Sequence, residues 1–316
     1  MHRILLQIIV CALFAISALG IEPSLQQADK LFGLHKYAEA EPIYLSIVGQ
    51  GGKEAFLALK QLACLYIATG DKIKADAAFE GLLSVFSSES SLPKQIILIS
   101  DAYIKVNDID KAAKTIQQIN NQSATGLLWA NVGAVKVEIA KEQDAQQKVS
   151  SILTDFAEHP DLAEAVFSVA QGYWIKSHQK VSEAITLEQT EPKLVEQHQY
   201  LLNALNLYEK IINDMNASQA LLQDIYFSCG DCYRLLEERL KAAYRYDEFV
   251  RQWPGHEYAA SAQFLVGQCY EQQYRMTGYK DLVIGEKAKA AYQKVVDNYP
   301  DSPLASIASR KYGIGN

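Results

Sequence analysis

Two cysteines of this chain have the spacing of a redox pair. Cys229 and Cys232 enclose Gly230 and Asp231 in a C-x-x-C motif, which thiol–disulfide oxidoreductases use for exchange. In those enzymes the pair stands at a helix N-terminus, where the thiolate is stabilised. Here the spacing of the surrounding residues places both cysteines inside a helix, where small buried thiols fit as packing residues. Packing is therefore the favoured interpretation, and thiol exchange or reversible closure of the pair is the alternative.

Other catalytic patterns are missing from the sequence. It contains no nucleophile elbow, no H-E-x-x-H, no phosphate-binding loop and no dinucleotide-binding glycine motif. The histidines are dispersed, without the close pairs that zinc sites usually show. They are His2, His35, His159, His178, His198 and His256. We therefore expect no enzyme, no cofactor and no metal site; a peptidoglycan-associated or thiol-exchange enzyme is the less favoured alternative.

A repeated pattern dominates the rest of the chain. Seven small residues recur at intervals of 33 to 37 positions, except for one interval of 60. These residues are Ala28, Ala63, Ser100, Gly133, Ala170, Gly230 and Gly267. Five of them are followed three positions later by a tyrosine, which lies on the same face of a helix. Such a pattern predicts pairs of helices that approach closely where the small residue stands.

A second recurring pair follows each small residue by twelve positions, or by more where there is an insertion. An alanine is followed four positions later by a large residue, usually aromatic. The pairs are Ala40/Tyr44, Ala75/Phe79, Ala112/Ile116, Ala145/Val149, Ala204/Tyr208, Ala242/Tyr246 and Ala288/Tyr292. Over residues 24–312 the chain thus resembles the tetratricopeptide repeat (TPR) family. The resemblance implies an all-α, right-handed superhelical solenoid of about seven helical hairpins, with a C-terminal capping helix over 303–312.

The last part of the chain has a narrower resemblance. Gln252-Trp253-Pro254 and Asn298-Tyr299-Pro300 each follow an Ala-x-x-x-Tyr helix. Residues 240–312 are in this respect similar to TPR proteins of the bacterial envelope, namely the outer-membrane assembly lipoproteins and the Tol-Pal coordinator proteins. The chain departs from the lipoprotein pattern because Cys11 is preceded by Val10 rather than by a small residue.

The interval of 60 residues predicts an insertion of about 22 residues, 176–197, between the two helices of the fifth hairpin. Val181, Ile185 and Leu187 in it favour a short amphipathic helix that folds back on the rim and ends at Pro192. A smaller insertion lies at 278–285 in the seventh hairpin. Insertions in such repeats often form a binding edge, but a surface excursion also costs little entropy, so both interpretations stay open.

The N-terminus has the pattern of a signal peptide. Arg3 is followed by an uncharged apolar run from Ile4 and by Ala18-Leu19-Gly20, which fits a cleavage site. We therefore expect a signal peptide over 1–20 and a TPR solenoid domain over 21–316. No second apolar run long enough to span a bilayer follows, and the formal charge of −7 disfavours nucleic acid as a partner. The expected location is the periplasm or cell envelope of a bacterium.

The resemblance also indicates a binding surface. In TPR proteins the first helix of each hairpin lines the concave face, and matching positions of the last three hairpins predict a groove for a protein or peptide segment. The predicted groove consists of Phe167, Gln171, Trp174, Phe227, Asp231, Arg234, Phe264, Gln268 and Glu271. The alternative for the three phenylalanines is that they pack between helices as core.

These patterns together predict an exported, non-catalytic TPR scaffold of the bacterial envelope that binds an envelope protein, with peripheral association with an outer-membrane complex. The alternative is a structural adaptor that holds its partners through its edges and the 176–197 insertion.

Overall fold

In the computed structural model, described residues 24–187 and 190–312 are helical or lie in turns and short connections, and none of them forms a strand. Side chains are described for residues 24–180 and 195–311. The predicted signal peptide lies outside the described residues, so it stays a prediction. The chain divides into two compact units, Met1–His159 and Pro160–Asn316.

The first unit consists of consecutive helical hairpins, in which most helices pack on the next one in the chain. First helices of neighbouring hairpins also contact each other, which stacks the hairpins. The helices are α1 (Leu25–Gly33), α2 (Tyr37–Gln50), α3 (Gly52–Thr69), α4 (Lys72–Val85), α5 (Leu92–Lys105), α6 (Ile109–Ile116), α7 (Ala124–Ala140) and α8 (Gln146–Asp155).

The second unit also consists of helical hairpins, and in it each helix packs on the next one in the chain. The helices are α9 (Leu162–Leu187), α10 (Thr190–Asp214), α11 (Gln219–Leu235), α12 (Arg239–Gln252), α13 (Ala259–Met276), α14 (Leu282–Asn298) and α15 (Pro303–Tyr312). The final helix α15 packs on both α13 and α14, in the position expected for a cap. Both units therefore confirm the all-α prediction.

The turns within hairpins use the same local chemistry repeatedly. Gly70 and Asn107 follow the first helix with φ of 80° and 61°, in the left-handed region that glycine and asparagine tolerate best. Asp71 and Asp108 then cap the second helix by accepting from the backbone N–H of residues 74 and 111. Each of these two turns thus ends one helix and caps the next with the same pair of residue roles.

The small residues mark the closest approach of the two helices of a hairpin. A Cβ atom at Gly230 would lie 2.5 Å from the ring of Tyr246, and one at Gly267 would lie 2.8 Å from the ring of Tyr292. Real Cβ atoms essentially never approach so closely. Each glycine therefore makes room for the tyrosine that follows the second-helix alanine, as the repeat predicts.

Neighbouring hairpins in the first unit are joined by a recurring polar contact. Glu41 on α2 accepts hydrogen bonds from the hydroxyl of Tyr66 and the ammonium of Lys74, both at 2.9 Å. One hairpin later, Asp76 lies 2.7 Å from the Lys111 ammonium and is hydrogen-bonded to Tyr103. Each carboxylate follows a second-helix alanine and joins its hairpin to the next one.

A similar contact, made by other positions of the repeat and with arginine in place of lysine, occurs in the second unit. Glu209 on α10 accepts from the hydroxyl of Tyr233 at 3.1 Å and from the guanidinium of Arg245. Arg245 also donates to Glu248 at 2.7 Å. This network links α10, α11 and α12, and it is partly shielded from solvent.

Two sequence-based expectations differ from the structure. Ala145 is the residue that precedes α8 rather than a residue inside it, and Ile152 is the only buried residue of that helix. The segment around α8 is rich in Gln, Lys and Ser, so it offers little apolar surface to pack against α7.

The second difference concerns the insertion. Instead of a separate helix folding back on a rim, most of the insertion lengthens α9 and α10, which span 26 and 25 residues. The prediction that Pro192 ends a helix is wrong, because it lies in the first turn of α10. Proline is tolerated there, since no earlier helical carbonyl awaits its missing N–H.

Candidate protein-binding surface

The predicted groove residues lie on the first helices of the second unit, α9, α11 and α13. The three phenylalanines among them pack on the second helix of their own hairpin. Phe167 lies 5.7 Å from Tyr208, Phe227 lies 5.5 Å from Tyr246, and Phe264 lies 5.2 Å from Tyr292, measured between ring centroids. Phe264 is buried, and the other two are half-buried. These contacts place the phenylalanines in the packing of the hairpins.

Asp231 and Arg234 lie one turn apart on α11 and bind each other. The Arg234 guanidinium donates to Asp231 Oδ1 at 3.0 Å, and the Tyr246 hydroxyl donates to the same oxygen at 2.7 Å. Both side chains remain half-buried. One face of the Asp231–Arg234 pair is thus fixed to α12 and the other face reaches the surface.

Glu271 is held from three sides. It accepts a hydrogen bond from the Tyr292 hydroxyl at 2.8 Å and forms ion pairs with Arg275 and with Lys311 of α15. Burial alone would raise the pKa of Glu271, but the bonds from Lys311 and Tyr292 outweigh it and hold that pKa below its usual value. Glu271 therefore ties the terminal helix to the last hairpin.

The remaining predicted residues are also partly accessible. Gln171 and Gln268 are half-buried on α9 and α13. Trp174 is also half-buried, and its ring lies 3.8 Å from that of His178. With Asp231 and Arg234 they occupy matching repeat positions on three successive first helices, and we call these five residues the first-helix row.

The C-x-x-C cysteines lie in the interior of α11, as expected from the sequence. Cys229 and Cys232 are both fully buried and free. Burial raises the pKa of Cys232 to about 12 and raises that of Cys229 well above its usual value. A reactive cysteine needs the opposite shift, so neither thiol is activated in this conformation. Within residues 24–187 and 190–312, no three His, Cys, Asp or Glu side chains come together as a metal-binding group.

The structure also shows which residues lie on an edge of the hairpin stack, which the sequence analysis did not name. In a stack of hairpins the turns within hairpins all lie along one edge, and large apolar residues are exposed there. In the first unit they are Leu34, Ile73 and Val106. In the second unit they are Leu240, Met276, Tyr279, Leu282 and Val283. Their positions next to the turns are a sequence signal for this surface, because an apolar residue at a turn does not contribute to the packing inside its hairpin.

A groove opens at this edge of the first unit. It has a volume of about 620 Å³ and lies beside the turns that follow α3 and α5. Tyr66, Gly70, Lys72, Tyr103 and Val106 are among the residues that line it. The edge therefore offers a concave apolar surface with charged residues around it.

Within the described residues, no helix is long and apolar enough to cross a membrane. This statement applies to residues 24–187 and 190–312 and leaves the N-terminal apolar run aside.

Comparison with known proteins gives one family match. Residues 261–302 match the tetratricopeptide repeat family, and this segment covers most of α13 and α14. No curated protein matches the chain.

Several solved structures align with most of the chain at low identity. The crystal structure of MamA protein is 12% identical, covers 84% of this chain and 99% of its own, and has a TM-score of 0.34. The C-terminal part of a TPR repeat-containing protein from Cytophaga hutchinsonii is 14% identical, with coverages of 90% and 99% and a TM-score of 0.37. The Cut9–Hcn1 hetero-tetramer of the APC/C is 14% identical, with coverages of 95% and 58% and a TM-score of 0.30. By its sequence, the α13–α14 hairpin is similar to a tetratricopeptide repeat.

Proposed function

We propose that this protein is an exported, non-catalytic scaffold of the bacterial cell envelope that binds a segment of an envelope protein. The observation that carries the proposal is the first-helix row, which presents a tryptophan, an ion pair and two amides on the first helices of three successive hairpins. Trp and Arg are frequent anchors of protein interfaces, and amides supply hydrogen bonds to an extended backbone. Stacked hairpins provide long surfaces of this kind.

Export and an envelope location rest on the sequence alone. They are supported by the signal-peptide pattern of residues 1–20 and by the Tyr-Pro and Trp-Pro junctions near the C-terminus. Peripheral association with an outer-membrane complex belongs to the same proposal.

The test of the binding surface uses the first-helix row rather than the phenylalanines, because serine at 167, 227 or 264 would disturb hairpin packing. We would capture partners from an envelope extract with the variant Gln171→Lys/Trp174→Ala/Gln268→Lys. A matched control changes accessible positions of the second helices, Gln199→Lys/Leu202→Ala/Gln293→Lys. The partner identified with the native protein is then purified and its affinity measured by calorimetry.

We expect the first-helix variant to lose the partner and the control to keep it, with unchanged helical content in both. Removing an anchoring Trp and introducing two lysines should weaken binding by at least about tenfold. Equal affinities in the two variants would exclude the first-helix row as the binding surface.

The exposed apolar residues at the turns favour a second candidate, an adaptor that holds its partners through its edge. Ile73→Ser/Val106→Ser changes that edge in the first unit, and a short Gly/Ser turn in place of residues 181–194 shortens the α9–α10 hairpin. If the edge binds the partner, one of these variants loses it while the first-helix variant keeps it.

A further inference from the structure

The turn between α13 and α14 exposes four large apolar side chains within eight residues. Met276, Tyr279, Leu282 and Val283 are 69%, 59%, 70% and 66% exposed. We call these four residues the apolar tip. Single exposed apolar residues are ordinary on protein surfaces, but a cluster at one protruding turn marks an interaction site.

The apolar tip stands on an ordered turn. The Tyr274 ring packs edge-on against Tyr279 at 5.2 Å, and a Cβ atom at Gly285 would lie 3.0 Å from the Tyr274 ring. The backbone N–H of Tyr279 donates to the Tyr274 carbonyl at 3.1 Å, and Asp281 caps α14 through the N–H of Ile284. Because the Tyr274 ring occupies the inside of the turn, the four side chains of the apolar tip remain exposed to solvent.

The charge around the apolar tip is opposite to that of the whole chain. Residues 276–289 contain three basic and two acidic residues, and Arg275 just before them is paired with Glu271, whereas the full chain has a formal charge of −7. Of the two carboxylates, Asp281 is used to cap α14. Lys280 and Lys289 are exposed. A negatively charged surface is therefore the electrostatic complement of this turn.

We propose that the apolar tip docks the protein peripherally on an anionic phospholipid surface. Apolar side chains enter the boundary between headgroups and acyl chains, a tyrosine suits that boundary, and lysines beside them bind anionic headgroups. A protruding turn fits a deformable lipid surface without needing a matching groove. The proposal goes beyond the proposed function and does not depend on the identity of its protein partner.

The test reads out contact at the tip itself, because the full chain also carries the apolar N-terminal run. Tyr279→Trp places a fluorophore at the tip, and Val85→Trp places one at an equally exposed position, 59% in both cases, at the far end of α4. Each full-length variant is mixed with vesicles of brominated phosphatidylcholine and phosphatidylglycerol. Bromine quenches only a tryptophan that enters the bilayer, and the native protein supplies the background of its own three tryptophans.

We expect quenching at position 279 and none at position 85. Adding Met276→Ser, Leu282→Ser and Val283→Ser to Tyr279→Trp should lower the apparent partition coefficient by at least about tenfold. Circular dichroism checks that this variant keeps its helices.

Three results would overturn the proposal. Absence of quenching at 279 would show that the tip stays out of the bilayer. Equal quenching in vesicles of brominated phosphatidylcholine alone would remove the role of the anionic headgroups. A concentration-dependent mass that the serine variant abolishes would show that a second copy of the chain covers the tip.

Discussion

A buried ion pair in the first unit occupies a position where most hairpins carry a tyrosine. Lys136 follows Gly133 by three residues, and its ammonium lies 2.7 Å from Asp101 Oδ2 on the neighbouring first helix. Their side chains are 1% and 8% exposed, and Asp101 Oδ1 has no hydrogen-bond partner. Burial raises the pKa of Asp101 and lowers that of Lys136, which the attraction between them opposes.

Removing one member of the ion pair should destabilise the protein, whereas replacing both members by apolar residues should not. We expect Lys136→Met alone to lower the free energy of unfolding by about 3–5 kcal/mol, because it leaves a buried carboxylate without its partner. The double variant Asp101→Leu/Lys136→Met should be close to the native protein or more stable. Urea unfolding measures both, and a double variant as unstable as the single one would contradict this account.

The glycines of the repeat act through space rather than through backbone freedom. In Gly267→Ala the new methyl group would meet the Tyr292 ring, so we expect a loss of about 1–3 kcal/mol from overpacking. Gly255→Ala is the matched control, since nothing lies within 4 Å of its would-be Cβ atom. Thermal unfolding of the two variants should differ clearly, and equal midpoints would argue against the close approach.

The buried cysteines give a prediction about reactivity. Burial raises the pKa of Cys64 and of Cys269 to about 11, and that of Cys232 to about 12, so the thiolate is scarce at neutral pH. We expect iodoacetamide to leave the four described cysteines unmodified in the folded protein and to modify all of them in denaturant. Mass spectrometry of the peptides measures this, and rapid labelling of Cys229 or Cys232 under native conditions would revive the thiol-exchange alternative.

At the scale of the helices, the sequence predicts most of the pairing because the repeat encodes backbone approach. A small residue opposite an aromatic one requires a close contact, and Gly230 with Tyr246 is an instance. The course of the α9–α10 hairpin was less predictable. Each of the two helices is extended because the other lies beside it along the extension. The residue pattern of one segment does not show whether such a partner helix is present.

The candidate site was only partly predictable for a related reason. Phe227 has the same relation to its small residue as a groove-lining residue of the TPR family, yet it packs against Tyr246 and Phe249. An aromatic side chain at such a position can pack on the second helix of its own hairpin or face the solvent. Which of the two occurs depends on the space beside the second helix, and the spacing of residues in the sequence does not predict that space.

The carboxylates between hairpins should contribute to stability. Glu209→Ala removes the acceptor shared by Tyr233 and Arg245, whose side chain is only 16% exposed. We expect a loss of about 1–2 kcal/mol in the free energy of unfolding, because charged hydrogen bonds in partly shielded positions are among the stronger ones. Glu238→Ala, which breaks an exposed pair with Lys241, should change it by less than about 0.5 kcal/mol. Similar losses in the free energy of unfolding in the two variants would contradict a stabilising role of the Glu209 contacts.

At the scale of the whole molecule, contacts in the two units should act independently when they share no neighbours. A Cβ at Gly133 would meet Ile116 and Ile97, whereas one at Gly267 would meet Tyr292. In Gly133→Ala/Gly267→Ala we therefore expect the two losses of stability to add within about 0.5 kcal/mol. Chemical denaturation of the single and double variants tests this, and a larger deviation would indicate energetic coupling between the units.

Most helices pack mainly on the helices beside them in the chain, and this has a consequence for biosynthesis. A protein built from such short-range contacts does not wait for its C-terminus before it begins to fold. Successive small residues are mostly 33 to 37 positions apart, so each hairpin becomes complete soon after its own segment leaves the ribosome. The growing chain can then add hairpins one at a time to a structure that already exists, and little apolar surface is left exposed to aggregation while synthesis continues.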